Sequence, residues 1–374
     1  MTEDDRRHMA LALALGRRGL GAVWPNPAVG AVIVAGGRIV GRGWTQPGGR
    51  PHAEAVALAR AGDAARGATA YVTLEPCAHV SARGPACSDS LIAAGIARVV
   101  SAMKDPDPRS AGQGHARLHA AGVAVTTSCL AQEAAQDHAG FALRITAGRP
   151  LVTLKLATTL DGRIATATGA SRWITGPQAR RDVHALRARH DGVMVGAGTA
   201  RADDPDLTVR DLGIAPQPVR VVLDSRLTTS PDSRLGHTAR AIPVWLCHGP
   251  SAPVAARQAW SATGARLIEV AVDVAGRADT SAALGALAAA GLTRILCEGG
   301  AGIAAALLDA DLVDAVHIYT AGRAFGGDGL AAIGPMGVTA IPPGPPRFRL
   351  LDVTPIGDDT RTRWVRHHGA DGGT

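Results

Sequence analysis

The residues best equipped for chemistry stand in one short stretch. Pro51-His52-Ala53-Glu54 is followed by Thr73-Leu74-Glu75-Pro76-Cys77 and then by Cys87. An imidazole and two thiolates give three protein ligands for a zinc ion and leave the fourth tetrahedral position for water. Bound zinc brings that water's pKa to about 7, so hydroxide is available without strong base. Glu54, two residues past His52 at an expected helix start, is placed to take the water's proton and hand it to a departing nitrogen. After Pro76, Cys77 is expected to begin a helix whose dipole favours the thiolate. An isolated H-x-E arises often by chance, and an isolated Cys is usually a small buried hydrophobe. The ordered combination is what carries the zinc reading. His79 reads as a local structural or substrate-side residue, and Cys129, Cys247 and Cys297 as core thiols.

Holding these groups takes alternating strands and helices. Apolar runs at 28–34 and 38–43, joined through Gly36-Gly37, predict a hairpin. Residues 52–60 are helical in pattern and are stopped by Gly62. Strands are expected at 68–74, 97–103 and 122–127, with a helix at 87–94 between the first two. Such a pattern packs helices on a sheet. At 146–150 the alternation breaks and a fresh strand starts at Leu151, which divides the chain into domains 1–146 and 147–374. The second domain alternates again. Its strands fall near 192–196, 219–224, 243–247, 266–270 and 293–297, and its helices near 177–190, 279–290 and 301–309. Segments 347–353 and 360–365 read as edge strands. No internal repeat is visible, so the fold class is α/β in two unrelated domains.

Composition narrows the partners. The chain of 374 residues is 46% hydrophobic and 19% charged, an ordinary globular balance with too much length for one core. A net charge of +7 invites nucleic acid, but the cations are scattered and only Lys104 and Lys155 are lysines. With three Phe and two Tyr there are few rings to stack single-stranded bases, so no nucleic-acid partner is expected. A phosphorylated small molecule or NADPH needs only a few well-placed arginines. The acidic start Met1-Thr2-Glu3-Asp4-Asp5 lacks the pattern of a secretory signal, and no apolar stretch approaches a membrane span. Five scattered cysteines fit reduced thiols in a cytoplasm. The sequence leaves a homo-oligomer open.

In the second half no G-x-G-x-x-G fingerprint occurs, which argues against a Rossmann unit. Ile295-Leu296-Cys297-Glu298-Gly299-Gly300-Ala301-Gly302 leads instead into an apolar helical run. A glycine turn from strand into helix presents free backbone N–H groups that suit a cofactor phosphate, although a plain tight turn reads the same way.

Several motifs, taken in order, resemble the bifunctional riboflavin-biosynthesis deaminase/reductase family. They are Pro25-Asn26-Pro27-Ala28-Val29-Gly30, His52-Ala53-Glu54, Glu75-Pro76-Cys77-Ala78-His79 and Lys104-Asp105-Pro106-Asp107-Pro108 with Gly112-Gln113-Gly114. Past the boundary come Lys155-Leu156-Ala157, Leu160-Asp161-Gly162-Arg163, Ser171-Arg172-Trp173-Ile174-Thr175 and the run from Ala202 to Arg210, so the resemblance spans about residues 5–365. It implies a cytidine-deaminase-like α/β/α N-terminal domain and a dihydrofolate-reductase-like C-terminal domain. It also implies two consecutive reactions. A diaminopyrimidinone carrying a ribosylamino 5-phosphate is hydrolytically deaminated to the uracil, and NADPH then reduces the ribosyl group to ribityl.

By resemblance, Ala157, Trp173, Thr199, Asp203, Ser225, Gly300, Ala301 and Gly302 fall on cofactor positions. Asn26, Ser171, Arg187, Leu207, Arg210 and Glu298 fall on substrate positions, and Lys155 is expected to polarise the substrate sugar. Three have plainer alternatives: Arg187 as a solvated helix face, Trp173 as core, Lys155 as a snorkelling lysine. One departure is a loop of nine residues, Ala78 to Ala86, between the cysteines, one longer than the family usually has. A loop absorbs one residue at small entropic cost, so the ligands stand, while contacts from Arg83 do not transfer. The rival reading is a zinc deaminase of a base in RNA with a non-catalytic second domain.

Overall fold

A computed structural model describes residues 1–79, 84–213, 216–344 and 346–367. The chain falls into two compact units, Met1–Gly148 and Arg149–Thr374.

The first unit runs α1 (Glu3–Gly16), β1 (Gly30–Ala35), β2 (Arg38–Trp44), α2 (Ala53–Ala61), β3 (Thr69–Val72), α3 (Cys87–Ala93), β4 (Arg98–Ser101), α4 (Gln113–Ala120), β5 (Ala124–Thr126) and α5 (Ala131–Thr146). Its sheet has the order β2-β1-β3-β4-β5, with β1 antiparallel to both neighbours and β3, β4 and β5 parallel. The hairpin turns through Gly36 and Gly37, at φ 54° and 76°, where a side chain would be strained.

Strand period decides the two faces. Ala31, Ile33, Ala70, Val72 and Val99 point to a core shared with Ala53 and Ala57 of α2, Leu91 of α3 and Leu118 of α4. Their neighbours Val32, Val34, Tyr71 and Val100 point the other way, onto Met9, Ala12 and Leu13 of α1 and Ala134 of α5. Helices on both faces make an α/β/α sandwich. Helix α1 is capped by Thr2, whose hydroxyl accepts from the Asp5 N–H while the Asp5 carboxylate accepts from the Thr2 N–H. That buried carboxylate is also gripped by both Arg98 terminal nitrogens, at 2.9 and 3.0 Å.

The second unit runs β6 (Leu151–Thr159), β7 (Arg163–Ala165), α6 (Pro177–Arg187), β8 (Gly192–Gly196), α7 (Ala197–Asp203), β9 (Val219–Leu223), α8 (Arg234–His237), β10 (Val244–His248), α9 (Val254–Ala262) and β11 (Arg266–Glu269). It continues with α10 (Thr280–Ala289), β12 (Arg294–Cys297), α11 (Ala301–Asp309), β13 (Ala315–Ala321), β14 (Leu330–Ala331), β15 (Phe348–Ile356) and β16 (Asp359–Arg366). Nine strands form one sheet in the order β11-β10-β9-β8-β12-β6-β13-β16-β15. The first seven are parallel, and β16 and β15 continue antiparallel. Parallel strands are covered on both faces, which fits the near-continuous apolar runs Val193-Met194-Val195 and Val244-Trp245-Leu246. The expected edge strand at 360–365 is corrected here. It lies inside β16, paired on both sides, and of these two segments only the one in β15 is at an edge.

Among the described residues no helix is long and apolar enough to cross a membrane. All five cysteines are free and buried. Cys129, Cys247 and Cys297 sit in the core, and burial alone pushes Cys247 up to about 12.

Candidate active site

Two glycines seat α2. A Cβ on Gly43 would stand 2.2 Å from the Ala53 carbonyl and one on Gly41 2.3 Å from that of Ala57, so β2 meets the helix backbone directly. His52 caps this helix in extended conformation, and Glu54 follows in its first turn, 4% exposed. Across the sheet, the chain leaving β3 delivers Cys77, and α3 begins at Cys87. The expectation that Cys77 opens a helix is corrected: Cys77 lies in the loop, and the helix start belongs to Cys87. The thiolate still profits, because the Cys87 backbone N–H points at Cys77 Sγ from 3.4 Å.

The ligand atoms of His52, Cys77 and Cys87 all lie within 4.8 Å of one another. His52 Nδ1 is 3.2 Å from Cys87 Sγ and 3.8 Å from Cys77 Sγ. Tetrahedral zinc with ordinary N and S bond lengths separates such donors by roughly 3.5 Å, so the set fits that ion without rearrangement. A hydrogen bond from the Cys87 thiol outweighs burial and holds Cys77 down to about 4, while Cys87 is pushed well up by sharing that bond and by its own burial. Burial likewise raises Glu54, against the pull of His52, as suits a carboxyl that must carry a proton for part of a cycle.

Glu75, quoted above only as part of a motif, organises the floor. Its buried carboxylate accepts from the backbone N–H groups of Asp105 (3.2 Å), Gly112 (2.9 Å) and His115 (3.1 Å), tying the Cys77 loop to the start of α4. Asp105, pushed up to about 6 by burial, and the His79–Ser110 contact at 3.2 Å lie along this segment. The Asn26 amide packs against Gly49, three residues before His52. Arg83 lies outside the described residues.

In the second unit Thr199, Ser225, Glu298 and Gly300 lie just past the ends of the parallel strands β8, β9 and β12, the usual ligand-binding rim of such sheets. The Arg187 guanidinium lies on the Glu298 carboxylate with bonds of 2.6 and 3.0 Å, and its remaining nitrogen donates to the Thr208 carbonyl at 2.8 Å. Arg187 is therefore an engaged, largely buried side chain and not a solvated helix face. Burial would raise Glu298, but Arg187 and Lys155 reverse that and hold it at about 2. Lys155 Nζ stands 5.8 Å from the centre of the Tyr319 ring, and burial lowers its pKa while Glu298 resists. Thr208 and Tyr319 were not singled out from sequence; a backbone carbonyl and a strand tyrosine leave no motif.

Thr199 accepts from the Gly300 N–H at 2.9 Å, which fixes the glycine turn as α11 begins with Ala301 and Gly302. Ala157 pairs with Tyr319 across β6 and β13. Trp173 is 61% exposed with Arg180 4.7 Å from its ring, so it is no core residue. Arg172 donates to the Asp203 carbonyl, and Ser171 stands two residues before Trp173, half-buried. Ser225 lies past β9, where its hydroxyl accepts from the Ala278 N–H at 2.7 Å. Arg210 is exposed and paired with Asp206 at 3.0 Å. The Leu207 side chain is buried in the core, and its backbone takes the left-handed conformation at φ 55°.

Comparison with known proteins agrees with both halves. The cytidine and deoxycytidylate deaminase zinc-binding region matches residues 2–103, and the RibD C-terminal domain matches residues 150–362. The riboflavin biosynthesis protein RibD of Escherichia coli K12 is 40% identical over 368 residues, covering 95% of this chain and 98% of the relative. A solved structure of Acinetobacter baumannii RibD superposes with a TM-score of 0.86 at 36% identity, covering 98% of this chain and 99% of that one. A Thermotoga maritima structure described as a diaminohydroxyphosphoribosylaminopyrimidine deaminase/5-amino-6-(5-phosphoribosylamino)uracil reductase gives 0.84 at 32% identity, covering 97% and 99%. A deaminase of RNA bases with an inert second half finds no support, since the second half itself matches a reductase domain. With both regions present in order and full-length relatives at this identity, the chain belongs to the RibD family of bifunctional riboflavin-biosynthesis enzymes, a zinc-binding deaminase joined to a reductase.

Proposed function

We propose that domain 1–146 deaminates 2,5-diamino-6-ribosylamino-4(3H)-pyrimidinone 5′-phosphate and that domain 147–374 reduces the resulting 5-amino-6-(5-phosphoribosylamino)uracil with NADPH. The observation that carries the first step is the convergence of His52, Cys77 and Cys87 beside the buried Glu54. Zinc held by those three side chains would supply Lewis-acid activation of a water. Glu54 takes a proton from that water and returns it to the ring's exocyclic nitrogen. The carbon–nitrogen bond then breaks, ammonia leaves and the ring carbon keeps the oxygen. Asn26 orients the substrate from the neighbouring loop.

In the second domain Lys155 presents its ammonium to the ribosyl group, and Glu298 keeps that charge in place. Arg187 is occupied by Glu298 and Thr208, so it acts by holding Glu298. The exposed Arg210 remains as a grip for the substrate phosphate. The backbone at Leu207, with Ser171, completes the substrate's surroundings. The cofactor lies along the rim formed by Ala157, Trp173, Thr199, Asp203 and Ser225, with a phosphate on the Gly300-Ala301-Gly302 turn. Five cysteines without a disulfide suit a cytoplasmic enzyme.

The test is to supply the diaminopyrimidinone phosphate with and without NADPH while following ammonia and NADPH. Ammonia should appear in both cases, and NADPH should be oxidised only after it. NADPH oxidation from this substrate without ammonia would reverse the proposed order.

A further inference from the structure

The first unit carries a second concave site, unrelated to the zinc ligands. Strand β2 is one edge of the five-stranded sheet. Along it lies a cavity of about 400 Å³ lined by Leu15, Arg18, Ile39, Arg42, Trp44 and Arg60, among others. Three of those side chains are arginines, all exposed, and none of the residues lining the cavity is acidic. Among the described residues none of the three pairs with a carboxylate, although the adjacent Arg17 does, at 2.8 Å from Asp137.

The arrangement is ordered. The Arg18 guanidinium stands 5.1 Å from the centre of the Trp44 ring and that of Arg60 5.7 Å, so one indole holds two cations by its electron-rich face. Arg60 is further fixed by donating to the Arg42 carbonyl at 2.9 Å. These residues come from the 3₁₀ turn after α1, from β2 and from α2, so three elements converge on one point. Like charges held together repel, and an anion between them removes that cost while gaining charge-assisted bonds.

We propose that this pocket, lined by residues of neither catalytic set, binds the phosphate of a small phosphorylated molecule. Guanidinium groups match phosphate oxygens two at a time, and the apolar wall of Leu15, Ile39 and Trp44 offers contact for a ring carried beside the phosphate. A track for a nucleic-acid backbone would need such charges repeated along a groove, whereas these are confined to one cavity of small-ligand size.

Calorimetric titration of the full chain at constant ionic strength tests this, with inorganic diphosphate in one arm and adenosine 5′-monophosphate in the other. One site should weaken roughly tenfold or more in Arg42→Glu, and likewise in Arg18→Gln, with ammonia release and NADPH oxidation unchanged. Tighter binding of the nucleotide than of diphosphate assigns the apolar wall to a ring; the converse assigns the site to phosphate alone, and either supports the pocket. Equal binding by wild type and both variants overturns the proposal. So does a changed association state in Arg42→Glu, which makes the face a contact between copies of the chain. Tighter, Arg42-dependent binding of single-stranded RNA overturns it too.

Discussion

Glu54 is a buried carboxyl and Glu298 a mostly buried one, and their neighbours give them opposite tasks. Burial dominates at Glu54 and favours the protonated form; at Glu298 the Arg187 guanidinium overrides burial and keeps the charge. Glu54→Gln preserves size but removes the proton shuttle, so ammonia release should fall by about 10²–10⁴-fold. Bound zinc, measured by elemental analysis, should stay, and NADPH oxidation should persist when the deaminated intermediate is supplied. Near-normal ammonia release would remove Glu54 from the mechanism. At Glu298 the expected effect is on pH dependence. Burial lowers the Lys155 pKa and the Glu298 charge raises it, so Glu298→Gln takes away the opposing influence. The alkaline limb of the reductase profile, where Lys155 loses its proton, should move to lower pH in this variant. A limb that stays in place would mean that Lys155 is not the titrating group.

At the scale of elements, motif residues were legible because chemistry fixes their types, whereas some of the elements that carry them were not. The hairpin through Gly36-Gly37 and the helix stopped by Gly62 could be read from turn residues and period. Helix α5 could not, because it buries only Ala134, His138 and Gly140, too small and too polar a set to show an apolar stripe. Strand β13, central to the rim of the second unit, has His317 and Tyr319 where a buried parallel strand is expected to be aliphatic. Helix α1 carries a signal, Thr2 with Asp5 three residues on, but two residues are too short a pattern to announce a helix by themselves. The pairing of Arg187 with Glu298 spans residues distant in sequence and no local pattern announces it. Position, more than identity, matters at Gly43, where any side chain meets the Ala53 carbonyl. Gly43→Leu should push α2 away, cost about 1–3 kcal/mol of stability, and lower zinc content and ammonia release together. NADPH oxidation of the deaminated intermediate, measured in the same preparation, should be spared. Retained zinc would show that the helix tolerates the shift.

The molecule as a whole is two units with separate sheets and separate cores, and they meet acid differently. The first unit holds Asp5 as a carboxylate well below its ordinary range, through Arg98 first and despite burial, so that contribution survives until strongly acidic pH. The second unit holds two histidines, His190 and His317, as neutral rings. His190 Nδ1 donates to the Leu186 carbonyl at 2.8 Å, which leaves the neutral ring's Nε2 to accept from the Thr153 hydroxyl at 2.9 Å, and burial pushes it down to about 3. His317, between β6 and β16, is pushed down to about 4, by burial first and then by Arg363 and Arg361. An unfolded histidine takes its proton near pH 6.5, so between that value and the folded pKa the unfolded chain binds more protons than the folded one. The stability these rings lend is complete above about pH 6.5 and is lost progressively as pH falls toward 4. Asp191, raised by its own burial, works in the opposite direction, so one group's contribution must be separated from the net slope. Replacing one histidine does so. In His190→Gln a polar side chain remains but nothing titrates. Denaturant unfolding of the second unit's transition, followed from pH 7 to 4, should then lose stability less steeply than wild type by up to one proton. Parallel slopes in the two proteins would mean that His190 is protonated in the folded state after all, and that its buried partners accept a charge.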